Sequence, residues 1–208
     1  MAEAQIAENS KMKKKLKEEL KDIYEALDIE NGVRDLVIRK KRNETVIVHP
    51  SEYEGKDTVV LENIENCDIY VPFVMNNFYV KNTYYSRIYC GYVLGTAYIE
   101  TTSKSCYQVY STFVKVLKAN ECNFGIWCRF NPIIEDCIKL KFGPCMFEYK
   151  NRLWDKERAG FEMEEDSENS SKWSVVIDNK WSRDEQSPNW SVLNDEEIRY
   201  LTQIFLPE

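Results

Sequence analysis

The chain has 208 residues, 43% of them hydrophobic, with 35 acidic against 28 basic side chains and a formal charge of −7; this suits one well-buried domain with appendages and argues against a general nucleic-acid binder, which needs a basic face. No apolar run reaches the roughly 18 residues of a membrane span and the N-terminus lacks a signal peptide's apolar centre, so a soluble, cytoplasmic protein is expected. His49 is the only histidine and the seven cysteines contain no Cys-x-x-Cys pair, which leaves a His-based triad or a metal site almost nothing to build on and favours reduced thiols packed as small hydrophobes.

Taken in order, Ile6 to Ile29 comes first, and Leu16, Leu20, Ile23 and Leu27 recur there at helical spacing among lysines and glutamates, ending near Asn31-Gly32. That pattern predicts a helix with one narrow apolar stripe. Arg39-Lys40-Lys41-Arg42 lies between Val37-Ile38 and Val46-Ile47-Val48 and reads as a solvated turn between two strands. Residues 1–43 are thus expected to be a helix and basic linker ahead of a domain over 44–208.

From Val59 the chain repeats. Blocks starting at Val59, Phe78, Ala97, Lys115 and Ile133 superimpose at shifts of 18 or 19 residues, with an aliphatic at the third position of the first four: Leu61, Val80, Ile99 and Leu117. Polar corners follow at Asn66-Cys67, Ser86, Ser105 and Asn123, then a second short strand. Such repeats fit a mainly β fold, a right-handed parallel β-helix with rungs over about 58–147, in which no rung can bury its own apolar face alone. An antiparallel sandwich is the alternative, but Asn31-Gly32 is the sole hairpin-type dipeptide and lies outside the repeats.

After Gly143 the pattern changes. Glu148 to Ser171 is charged and reads as an exposed, mobile loop. Trp173, Trp181 and Trp190 then carry too much apolar surface for water, which predicts a tail folded back on the β-helix. A final short helix should start at Asn194 as N-cap with Glu197 three residues on, its stripe being Ile198, Leu201 and Phe205.

Pro132-Ile133-Ile134-Glu135-Asp136-Cys137, then Lys141-Phe142-Gly143-Pro144, then Ser187-Pro188-Asn189-Trp190-Ser191-Val192-Leu193 together resemble the C-terminal domain family of tubulin-binding cofactor C, shared with the retinitis-pigmentosa-type small-GTPase activators. The resemblance spans roughly Thr58 to Leu193. It implies a β-helix, and a GTPase-activating factor rather than an enzyme with its own substrate, acting on GTP bound to a partner and needing no cofactor of its own. The partners it implies are tubulin and other tubulin-folding cofactors, with a noncatalytic module for tubulin or an Arf-like GTPase as the alternative. A membrane-anchored relative is disfavoured because Met1-Ala2 offers no glycine for myristoylation.

In that family an arginine in a Gln-x-x-Arg motif activates hydrolysis, oriented by a glutamate in the segment matching Pro132 to Cys137. Without a gap the motif falls on Thr112-Phe113-Val114-Lys115, so Lys115 takes the arginine's place and Glu135 its partner's. A gapped placement on Gln108-Val109-Tyr110-Ser111 supplies no cation, and Arg87 and Arg129 are the nearest arginines that could substitute. The expected functional surface comprises Lys115 and Glu135 as catalytic pair, with Thr112, Phe113, Asn131, Pro132, Asp136 and Phe142 as binding residues and no metal ligand.

Overall fold

A computed structural model describes residues 34–161 and 172–202 of the protein. The helix expected before Asn31, the loop from 162 to 171 and Phe205 lie outside them.

Twelve strands wind a parallel β-helix of about six turns. One ladder stacks β1 (Asp35–Arg42), β3 (Thr58–Glu65), β5 (Asn77–Tyr84), the second half of β6 (Arg87–Ser103), the second half of β7 (Cys106–Asn120), β9 (Ile133–Glu135) and β11 (Ile177–Asp178). The other stacks β2 (Thr45–Ile47), β4 (Asp68–Val71), the first halves of β6 and β7, β8 (Asn123–Cys128), β10 (Leu140–Pro144) and β12 (Trp190–Val192). Among the described residues the coil thus includes Asp35–Arg42, a rung ahead of the visible repeats. Arg39 to Arg42 are part of β1 and not a free turn.

The corners explain how the chain bends without hairpin turns. Left-handed residues recur as pairs three apart: Lys40 and Asn43, Asn63 and Asn66, Asn82 and Tyr85, Thr101 and Lys104, Lys118 and Glu121, Asp136 and Lys139. Asparagine tolerates this conformation best among residues with a side chain, and stacked asparagines also bond from rung to rung, Asn66 Nδ2 to Asn43 Oδ1 at 2.8 Å and Asn82 Nδ2 to Asn63 Oδ1 at 3.0 Å. The next position faces inward and holds Cys67, Ser86, Ser105 and Cys122, each buried and donating to the carbonyl two residues earlier. All seven cysteines are free thiols.

Leu61, Val80 and Ile99 stack in register, fully buried. The fourth member of their column is Val116, and Ile134 follows; Leu117 pairs with Glu100 and points outward, half-buried. Irregularities at Cys90/Tyr92 and Val93/Thr96 each remove a residue and together cut the spacing between rungs from 19 to 17, so the 18-residue shift from Ala97 to Lys115 lands one position off, which in a strand is a change of face.

The stretch Tyr149 to Phe161 also departs from expectation. It contains helix α1 (Arg152–Arg158) and lies over the outer face of the second ladder, where Tyr70, Tyr89, Tyr92, Tyr110, Trp127, Phe147, Tyr149 and Phe161 make a second apolar cluster. Gln108 anchors it, accepting a bond from the Met146 amide at 2.8 Å. Gly125 makes room for that side chain, since a Cβ there would lie 2.1 Å from Gln108 Nε2.

The C-terminal tail does more than pack on the coil: β11 and β12 form its last rung. Asp178 falls in register with Ile134, where a carboxylate ends the interior column. It is buried and accepts from Ser187 Oγ at 2.7 Å, Asn189 Nδ2 at 2.8 Å and the Lys180 amide at 3.2 Å. Ser187 and Asn189 of the Ser-Pro-Asn-Trp motif thus hold the end of the fold together. Trp173 and Trp190 pack on the core. Helix α2 (Asp195–Thr202) starts in the expected reciprocal cap, Glu197 amide to Asn194 Oδ1 at 2.9 Å and Asn194 amide to Glu197 Oε2 at 3.0 Å, and Lys141 pairs with Glu197.

Candidate functional site

The first ladder presents a sheet whose outward residues repeat every rung, about 4.8 Å apart. Lys115 sits on it between Tyr98 of the rung before and Ile133 of the rung after. Tyr98 stacks on Tyr79 at 5.2 Å, and Tyr79 donates to Glu100 Oε2 at 3.1 Å. This packing leaves Lys115 only 6% exposed. Burial pushes its amine below the ordinary lysine value, and the charge of Glu135 partly offsets that.

Glu135 lies in register with Leu117, so it faces Lys115 along a diagonal and not directly across the rungs. Its Oε2 accepts from Asn179 Nδ2 at 2.9 Å. Asp136 occupies the left-handed corner position with φ 54° and is exposed. The Lys180 ammonium donates to both Asp136 oxygens at 2.7 Å and lies 3.8 Å from Glu135 Oε1. These bonds and charges hold Lys180 above the ordinary lysine value, with the Asp136 hydrogen bond first among the causes.

The other expected binding residues divide. Phe113, two residues before Lys115, stacks on Phe130 at 4.5 Å with nearly parallel rings, and Phe130 is 44% exposed. Asn131 Nδ2 donates to the Val175 carbonyl at 2.8 Å and the Pro132 carbonyl accepts from the Ile177 amide at 2.8 Å, so these two fasten the tail. Thr112 is buried. Phe142 cannot serve as a surface contact: it is fully buried in an interior ladder with Tyr107 and Phe124, its edge against Trp190. Ile138, two residues before the buried Leu140, stands outside at 56% exposure, in the corner between the left-handed Asp136 and Lys139.

Of the alternatives, Gln108 is committed to Met146 as described. Arg87 is held by both oxygens of Asp68 on the second ladder. Arg129 donates to the Gly160 carbonyl at 3.2 Å and lies over the Phe161 ring. None of the three belongs to the Lys115 corner.

Asn179 and Lys180 were not expected there. A signal exists in hindsight: Ile177-Asp178-Asn179-Lys180 stacks on Ile133-Ile134-Glu135-Asp136, an aliphatic running into polar residues at the same corner. The intervening strand, α1 and the long insertion separate the partners by 44 positions and hide the period.

The fold and site define a β-helix protein that carries a lysine–glutamate pair on adjoining rungs of one outer sheet, braced by its C-terminal rung. The chain belongs to the tubulin binding cofactor C family, whose sequence profile matches residues 56–178. It is similar to the tubulin-folding cofactor C of Arabidopsis thaliana, at 28% identity over 162 residues covering 77% of this chain and 45% of that one. It is also similar to the tubulin-specific chaperone C of Homo sapiens, at 26% identity over 148 residues covering 71% and 41%. The chain thus spans under half the length of these relatives. The solved structure of tubulin binding cofactor C from Leishmania major shares the fold, with a TM-score of 0.61 at 23% identity over 71% of this chain and 96% of that one.

Proposed function

We propose that the protein is a tubulin-folding cofactor that engages a GTP-loaded tubulin/cofactor assembly through the outer sheet around Lys115 and Glu135, and promotes GTP hydrolysis and release of the tubulin dimer. The observation that supports this reading is a buried lysine electrostatically coupled to Glu135, at the positions the family resemblance assigns to the activating cation and its partner. In hydrolysis, water attacks the γ-phosphorus as the bond to the β-phosphate breaks, and catalysis consists mostly of placing positive charge where oxygens gain negative charge. Lys115 supplies a charge in a partly dehydrated setting, where its field is weakly screened. Phe113 and Phe130 give the same sheet an apolar contact beside the charge.

One observation favours a second, noncatalytic reading, a module for tubulin or an Arf-like GTPase. With 6% exposure, Lys115 has less reach than an arginine that must touch several phosphoryl oxygens at once. Single-turnover GTP hydrolysis, measured with Lys115→Ala and Lys115→Arg in parallel with tubulin binding, separates the two. Hydrolysis lost in Lys115→Ala with binding kept supports activation; a stimulated rate that Lys115→Ala leaves unchanged overturns the role given to Lys115.

A further inference from the structure

Two lysines share Glu135, and they differ in access. Lys115 lies beneath the surface, whereas the Lys180 side chain is 57% exposed. Lys180 reaches the corner because the last rung delivers it. Ile177 and Asp178 pair with β9, the buried Asp178 carboxylate is fixed by Ser187 and Asn189 and accepts the Lys180 amide, and Asn179 bonds Glu135. The backbone that carries Lys180 is therefore anchored on both sides, while its side chain stands 57% exposed with its ammonium on surface carboxylates. Its ammonium is parked on Asp136, an exposed carboxylate at a corner, where solvent screens the pair and leaves it weak. A phosphate group can compete for a cation held that weakly.

We propose that Lys180 is the catalytic cation that touches the phosphates of the partner's GTP, and that Lys115 acts from beneath through the field it shares with Glu135. This rests on the reading of the protein as an activator of GTP hydrolysis. On engagement the ammonium leaves Asp136 for the β- and γ-phosphate oxygens. The water oxygen bonds to the γ-phosphorus, the bond to the β-phosphate oxygen breaks with its electron pair leaving on GDP, and the proton of water passes to the phosphate released. Lys180 forms no covalent bond and keeps its protons throughout.

The test is single-turnover hydrolysis by GTP-loaded tubulin with the other tubulin-folding cofactors and the full chain as wild type, Lys180→Ala or Lys180→Arg, with tubulin affinity and thermal midpoint measured on each. The expected result is a loss of roughly tenfold or more in stimulated rate for Lys180→Ala at unchanged affinity and midpoint, with Lys180→Arg recovering the rate. An undiminished rate in Lys180→Ala, or a loss that arginine does not rescue, overturns the proposal while wild-type stimulation stands. Absence of stimulation by wild type overturns both this proposal and the activating function beneath it.

Discussion

Ile99→Ala is the substitution that probes the coil most sharply, because Ile99 lies fully buried between Val80 and Val116 in the middle of an interior column. The change removes three side-chain carbons. At about 0.8 kcal/mol for each carbon withdrawn from an apolar site the transfer loss is roughly 2.4 kcal/mol. The cavity left between two rungs adds to this, since stacked strands bonded on both sides cannot collapse inward, and the total should lie at about 3–4 kcal/mol. The paired control is Leu117→Ala, a larger residue than Val116 that points outward; it should cost about 1 kcal/mol or less. Urea unfolding, read by far-ultraviolet circular dichroism at constant m-value, measures both. A loss below about 0.5 kcal/mol for Ile99→Ala, or a larger loss for Leu117→Ala than for Ile99→Ala, would refute the column and the shift of face that produces it.

Other outcomes follow from particular contacts. Ser187→Ala removes one of three donors to the buried Asp178 carboxylate and should cost about 1–3 kcal/mol in a thermal or urea melt; deletion of residues 172–208 should cost far more, by uncovering Ile134, Leu140 and Phe142. Gly125→Ala should displace Gln108 from the Met146 amide and lower stability by about 1–3 kcal/mol, with accelerated amide exchange at Met146 as the local readout. Lys115→Met should leave stability at pH 7 equal or higher while abolishing stimulated hydrolysis. Because the folded-state amine sits below its unfolded value, wild type binds fewer protons folded than unfolded between those values and gains stability as pH rises through that window toward about 10.4; the advantage of Lys115→Met should therefore shrink at alkaline pH, and an advantage that grows with pH would contradict the burial argument.

The fold was legible because a β-helix repeats its own sequence pattern: Leu61, Val80 and Ile99 mark three rungs at equal spacing, and polar corners mark the bends. Legibility failed where the period did. Two irregularities in β6 moved Val116 into the place expected for Leu117. The same limit applied to Phe142, whose alternation with Lys141 is visible while the face it turns to the coil is not. The segment over the second ladder escaped because its apolar residues Phe147, Tyr149 and Phe161 are thinly spread among charges and pack on an outer face, which no repeat predicts. That Lys115 and Glu135 lie on neighbouring rungs was legible from the rung length. Lys180 was not, since its rung is separated from Glu135's by a long excursion of the chain.

The acceleration of GTP hydrolysis proposed above is tested most directly by the single-turnover rate on GTP-loaded tubulin with the other folding cofactors, with and without the wild-type chain. The account predicts a faster rate that saturates with the protein's concentration and disappears in Lys115→Ala. Saturable binding to tubulin with no change in the rate would contradict it and leave a noncatalytic β-helix.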